Sequence, residues 1–185
     1  MSLCVVPCTI GEARAFVERH HSHHHAPVGA LCAVGVADGG RLCCVAILSR
    51  PVNRSLDGIG NVAEVTRLAS DGTKHAASMC LAAITRAAIA LDWRRVISYT
   101  ILGETGASYL AAGWHVAALC KFKPWDNNVR RRQSVVIEAD KIRWEFGPDA
   151  LPYDEAADCY RATAVGVVPV SPRIETLPLL ARGAL

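Results

Sequence analysis

Aromatic residues make up only 6% of the 185 positions, and methionine occurs twice. A core short of large rings has to be filled by small and aliphatic side chains. Hydrophobic residues at 51% supply enough of them for one domain, and the wealth of Ala and Val suits helices packed on a sheet. No stretch approaches the roughly 18 consecutive apolar residues of a membrane-spanning helix, and no basic-then-apolar leader opens the chain. None of the eight cysteines (4, 8, 32, 43, 44, 80, 120, 159) forms a C-x-x-C pair. Most lie in apolar runs such as LCAVGV and RLCCVAIL, so they read as small buried hydrophobes in a reducing cytoplasm rather than a disulfide framework. A net charge of +3 is too small to mark a nucleic-acid binder by itself. There is no internal repeat.

What is present is an ordered series of short elements. Leu3 to Pro7 is an apolar strand. Thr9 with Glu12 three residues on is a capping box, and Ile10, Ala13, Phe16, Val17 and His20 share one face of the helix it opens. That helix runs into HHSHHH and stops before Pro27. ALCAVGVA and RLCCVAILS, joined across Asp38-Gly39-Gly40, read as a hairpin covered on both faces. A loop from Arg50 to Gly60 leads to the strand NVAEVTRLA, the turn DGTKH and a helix from about Ala76 to Leu91. A strand from Arg95 to Thr100 follows, then a short helix from Ser108 to Ala112 closed by Gly113. Lys121 to Gln133 reads as an exposed basic loop and SVVIEA as a further strand. Pro, Ala and Asp dominate from Gly147 onward with little periodicity, so residues 1–146 form the expected domain and 147–185 an irregular extension.

The stretch from Glu64 to Trp114 is the most informative. A strand, a phosphate-sized turn, an Ala-rich helix, a second strand and a short helix ending in Gly-Trp together make a cleft for a phosphorylated carrier. This order resembles the GNAT fold of the acyl-CoA-dependent N-acyltransferases over about Leu3 to Val136. Tyr109-Leu-Ala-Ala-Gly113-Trp114 matches that superfamily's Tyr-x-x-x-Gly-Phe. The resemblance implies an α+β domain whose central sheet is mixed, mostly antiparallel, with a splayed central strand and flanking helices. It also implies acetyl-CoA or another acyl-CoA held by Leu68 and Ala69 and by the turn Lys74, His75, Ala76, Ala77 and Ser78. That turn departs from the usual Arg/Gln-x-x-Gly-x-Gly/Ala, with Ala where Gly is usual. HHSHHHAPVG, SRPVNRSLDG, EVTRLASDGT, SYT, GASYLAAGW and KIRW further resemble a phage and prophage group related to the Mom-type DNA-modification proteins. Those proteins modify adenine in phage DNA against host restriction.

Several residue types could carry chemistry. Arg67 lies on the central strand; alternation predicts Val65 and Arg67 on one face, with Glu64, Thr66 and Leu68 on the other. A guanidinium among apolar neighbours needs a partner, so it is either a structural pair of Glu64 or Asp71 or an anion clamp at the splay. Asp71 can cap the next helix or act as a base. Lys74 and Ser78 are phosphate contacts or a solvated first turn. The resemblance gives Tyr109 the role of protonating a leaving thiolate, against the alternative of a core tyrosine beside Trp114. Ser108 and Glu104 flank it, and Tyr99 ends its strand near the substrate entrance of the fold. The histidine run offers His20, His21 and His23 as ligands for a transition metal such as iron, with His21 also a candidate base. Alternatively the run only complements a helix dipole. Lys121, Lys123, Trp125, Arg130, Arg131 and Arg132 suit a DNA surface, opposed between 121 and 132 only by Asp126.

Three functions follow as expectations. The first is a Mom-like transferase acting on the exocyclic amine of a DNA base, with double-stranded DNA and an acyl-CoA donor as partners. The second is a conventional acetyl-CoA-dependent N-acetyltransferase for a small amine. The third is a GNAT-shaped binder of DNA or protein without turnover. No membrane partner is expected, and a homodimer is compatible with each reading.

Overall fold

The computed structural model describes residues 2–20, 25–122 and 139–152. Strand β1 (Leu3–Pro7) leads into helix α1 (Ile10–His20). The capping box forms: the Thr9 amide donates to Glu12 Oε2 at 2.8 Å, and the Glu12 amide to Thr9 Oγ1 at 3.2 Å. Ala13, Phe16 and Val17 are buried as their spacing requires, whereas His20 is exposed and lays its ring on Phe16 at 4.3 Å. Strands β2 (Cys32–Asp38) and β3 (Arg41–Ser49) form the hairpin. Gly39 and Gly40 both take positive φ, 57° and 84°, as a two-residue hairpin turn demands.

The Arg50–Gly60 loop contains a single-turn helix α2 (Arg54–Asp57) that the sequence does not advertise. Strand β4 (Val62–Ser70), helix α3 (Ala76–Ala90), strand β5 (Arg95–Ile101) and helix α4 (Ala107–Ala111) lie within a residue or two of expectation. Helix α4 ends in a Schellman motif. Gly113 at φ 81° donates to Leu110 O, and Trp114 N to Tyr109 O at 2.9 Å. Two further strands, β6 (His115–Cys120) and β7 (Lys141–Phe146), are missing from the sequence reading. Residues 134–138 of the expected strand SVVIEA, the basic stretch from Lys123 to Gln133 and the C-terminal extension from 153 onward lie outside the described residues, and Ala139 is not in a strand.

Among the described residues, seven strands form one sheet in the order β1-β2-β3-β4-β5-β7-β6. Every neighbouring pair is antiparallel except β4 with β5. That parallel ladder runs only from Val62 opposite Arg95 to Val65 opposite Ser98. Beyond it β4 follows β3 to Ser70, while β5 follows β7 to Ile101. The two strands therefore part, and the sheet is the splayed, mixed, mostly antiparallel one expected. Helix α3 covers one face over Cys44, Leu48, Val65 and Trp114; α1 covers the other over Val45, Ile47 and Ala69. Each fully buried aliphatic side chain, Leu81 and Ile84 among them, contributes about 1.5–3 kcal/mol.

One expectation about β4 is corrected. Leu48 pairs with Val65 but Ile47 pairs with Arg67, so Thr66 is an extra residue, a β-bulge. The bulge inverts the alternation. Val65 and Leu68 pack on the α3 side, Ala69 packs with Phe16 on the α1 side, and Arg67 takes the α1 side with Ile47. Glu64 and Arg67 therefore share a face. Among the described residues no helix is long and apolar enough to cross a membrane, and Cys4, Cys8, Cys32, Cys43, Cys44 and Cys80 form no disulfide.

Candidate active site

The parting of β4 from β5 opens a cleft of about 880 Å³. Its walls are Glu64 to Leu68 of β4, Ser98 to Ile101 of β5 and Gly103 to Tyr109, with Cys120, Lys121 and Lys141 on the far side. The loop at Val52 and Asn53 completes the rim. Gly106 has φ 62° and lies flat against Trp144; any side chain there would run into the indole, so only glycine lets the loop approach.

Glu64 is the unexpected occupant. It is 6% exposed, accepts the Val52 amide at 2.9 Å and makes no ion pair among the described residues. Burial pushes its pKa above the ordinary glutamate value, while the Val52 bond, Lys141 and Arg67 pull the other way. In the sequence Glu64 reads only as a structural partner for Arg67. No local pattern marks it, because its place is set by pairing with Ser49 and Ile97 and by the Val52 loop, all distant in sequence. Tyr99 lines the same wall, and burial drives its phenol far above the usual range.

Arg67 lines the cleft but spends its guanidinium on backbone. Nε donates to His25 O at 2.8 Å and Nη1 to Thr66 O at 2.6 Å, with no ion pair among the described residues. Glu18 and Glu64 lie close enough to act on it electrostatically. It thus ties the chain after α1 to the bulge. Asp71 stands apart from the cleft lining. It accepts the Thr73 hydroxyl and amide at 2.6 and 3.0 Å and pairs with Arg41 at 2.6 Å. Those bonds, Thr73 foremost, hold its pKa down at about 2, which suits a turn cap and not a proton acceptor near neutral pH. Ser108, Tyr109, Leu68 and Lys121 all line the cleft; Ala69 is buried under α1 instead.

The turn before α3 contributes backbone. Its residues do not line the cleft. Ala76 is fully buried and Ala77 packs against the core, but the amides of Lys74, His75, Ala77 and Ser78 have no acceptor among the described residues. Open amides at the start of a 15-residue helix suit an anion. The residue in the left-handed conformation, where glycine would be at ease, is His75 at φ 66°. Replacing His75 with Gly is expected to raise stability by about 0.5–1 kcal/mol, measured by urea denaturation, because the strain disappears without loss of a contact. An unchanged midpoint would show that the imidazole compensates.

Of the proposed metal ligands only His20 is described, exposed and stacked on Phe16; His21 and His23 lie outside the described residues. Among the described residues no three His, Cys, Asp or Glu side chains cluster to hold a metal. Lys123, Trp125, Arg130, Arg131 and Arg132 also lie outside them.

Among the described residues, a seven-stranded sheet opened at one parallel fork, with a cleft at the fork, is the architecture expected of the GNAT fold. No protein-family model matches the chain, and no curated protein matches it in sequence. Solved structures do match the fold. The yncA protein of Salmonella typhimurium, determined with acetyl-CoA, aligns at a TM-score of 0.57 and 12% identity, over 86% of this chain and 99% of that one. The ribosomal-protein-S18-alanine N-acetyltransferase of Escherichia coli aligns at 0.55 and 11%, over 79% and 94%. A Desulfovibrio desulfuricans protein described as a GNAT-family acetyltransferase aligns at 0.52 and 14%, over 79% and 99%. The chain has the GNAT fold.

Proposed function

We propose that the protein is an acyl-CoA-dependent transferase that moves an acyl group onto an amine nitrogen. The observation that carries this reading is Glu64, a buried carboxylate of raised pKa on the floor of the cleft at the strand fork. The site fits an acyl-CoA. The open amides of Lys74, His75, Ala77 and Ser78 suit its pyrophosphate, and the edge of β4 beyond Val65, which β5 no longer covers, suits its amide-bearing arm. When bound, an acyl-CoA supplies an activated thioester carbonyl. Glu64 then takes the proton of the attacking amine, Tyr99 and Ser108 orient that amine, and Arg67 holds the wall beside it through His25 O.

The finer reading, that the acceptor is the exocyclic amine of a DNA base with adenine foremost, draws on the resemblance to the Mom-type proteins. It is supported by Lys121, which lines the cleft and opens a stretch with four more basic residues by Arg132. Such a base has to leave the stack to reach Glu64. The conventional reading, an N-acetyltransferase for a small amine or a peptide amine, draws on the fold alignments and needs no feature beyond the cleft. We favour it.

The test is thermal unfolding with and without CoA, followed by thiol release from acetyl-CoA with three acceptor sets: polyamines and amino acids, peptide N-termini, and duplex DNA with nucleoside mass spectrometry. Stabilisation by CoA and turnover with one set are expected; CoA at 100 times its Kd adds about 2.7 kcal/mol. Absence of any CoA effect on a folded protein would leave a non-catalytic binder. An adduct on DNA alone would favour the Mom-like acceptor.

A further inference from the structure

Val65 and Ser98 form the last paired rung before the fork. At that rung Ser98 Oγ donates to Val65 O at 2.8 Å, and Tyr109 Oη lies 2.8 Å from the same Oγ. A serine hydroxyl has one proton. Since Ser98 gives it to Val65, the phenol must be the donor of the second bond, and the chain runs Tyr109 to Ser98 to Val65. Its members are almost fully buried, at 6%, 2% and 3% exposure. The phenol ring is fixed by stacking on Trp144 at 5.2 Å and 20° and by the edge of Trp114 at 5.6 Å. Both Ser98 and Tyr109 line the cleft.

The two hydroxyls are not equally free. Turning the Cβ–Oγ bond of Ser98 redirects its hydrogen from a backbone carbonyl to an anion at the fork, while Tyr109 goes on donating to the oxygen and polarising it. Tyr109 can reach such an anion only by giving up Ser98. Burial also holds its phenol up at about 12, above the roughly 8.5 of a thiol, so a thiolate does not keep the phenolic proton.

We propose that Ser98 is the hydrogen-bond donor to the thiolate that departs in acyl transfer, and that Tyr109 is a positioning residue acting through Ser98. This inference rests on the acyl-CoA reading above. As the carbon–sulfur bond breaks, its electron pair stays on sulfur and Ser98 donates its hydrogen bond there. No proton leaves Ser98 or Tyr109, and the thiolate is protonated from water.

The test reads binding before activity. The thiol pKa of bound CoA is followed by thiolate ultraviolet absorbance in the full-length protein and in Ser98→Ala and Tyr109→Phe. A hydrogen bond to the thiolate lowers that pKa in the wild type, so Ser98→Ala is expected to raise it by about one unit, a tenfold change, and Tyr109→Phe by less. In turnover, Ser98→Ala is expected to lower kcat by about 10- to 100-fold with KM retained. The deficit should shrink with a thioester donor whose thiol is more acidic than that of CoA. An identical bound-thiol pKa in wild type and Ser98→Ala overturns the proposal. So does a Tyr109→Phe variant that loses turnover while Ser98→Ala keeps it, since Tyr109 would then act directly. If Ser98→Ala does not fold, an unshifted pKa in Tyr109→Phe overturns the proposal by itself. Failure of the wild type to bind CoA is a different result and removes the acyl-CoA reading with it.

Discussion

Glu64→Gln is expected to lower kcat/KM by about 10²- to 10⁴-fold, the usual contribution of a positioned general base, while CoA binding is retained. The amide keeps the shape of the carboxylate and can still accept from Val52 N, so the cleft should not collapse. The pH behaviour has a definite sign. Burial raises the folded-state pKa of Glu64 above its unfolded value. Between those two values the folded chain holds the proton more firmly, so this group's contribution to stability falls as pH rises through that window. Above it the buried carboxylate is a standing cost that Gln removes. The variant should therefore be as stable as wild type at neutral pH, or more so, and far less active. The wild-type rate should also show an acidic limb with a midpoint above that of a free glutamate, and this limb should be missing from the residual rate of the variant. A pH–rate profile and a urea titration at neutral pH check both halves. Retained activity would show that Glu64 is not the base. A large loss of stability would instead assign Glu64 a structural role.

That Glu64 escapes a reading of the sequence, while much around it does not, follows from where the determining contacts lie. Thr9 with Glu12, Gly39 with Gly40, and Gly113 with Trp114 specify a cap, a turn and a helix stop within four residues, so they can be read directly. The order of elements from β4 to α4 is legible for the same reason. Strict alternation puts Arg67 on the wrong face because the Thr66 bulge is set by pairing with Ile47 and Leu48, some twenty residues earlier. Strand β6 hides behind another bulge. Val116 pairs with Trp144 and Ala118 with Arg143, so Val116 and Leu119 reach the same core at a spacing of three and the period of two is lost. Strand β7 alternates cleanly, with Ile142, Trp144 and Phe146 against Lys141, Arg143 and Glu145, yet a charged face usually means solvent. Here Glu145 is entirely buried. The partner of Asp71 is likewise Arg41, thirty positions away, which no local rule supplies.

That buried charge underlies the largest stability effect expected in the domain. Glu145 has no exposed surface. Its oxygens accept Arg95 Nε at 2.8 Å and Nη2 at 2.5 Å, and the Leu151 amide at 2.8 Å. Arg143 Nε stands 2.9 Å away but off the direction a hydrogen bond needs, so it adds charge without a satisfied donor. Glu145→Ala leaves the Arg95 guanidinium, 8% exposed, without a counter-ion, at a cost of about 3–5 kcal/mol. Against a total of about 5–15 kcal/mol for a typical domain, that is enough to unfold a marginal one. A urea midpoint within about 1 kcal/mol of wild type would show that water reaches the cluster. The double variant Arg95→Met/Glu145→Leu should recover most of the loss, because the groups left without Glu145 are Arg143, 18% exposed, and the amide of Leu151, an exposed residue that water can reach. Its behaviour in acyl transfer separates stability from register. Arg95 and Glu145 lock β5 to β7 in the pairing that sets Ser98 opposite Trp144 and Tyr99 opposite Arg143. A one-residue slip would turn Ser98 away from Tyr109 and reverse every side chain at the fork. A double variant that is stable but transfers poorly would assign the ion cluster to holding that register. One that is both stable and active would leave the register to the apolar face of β7 alone.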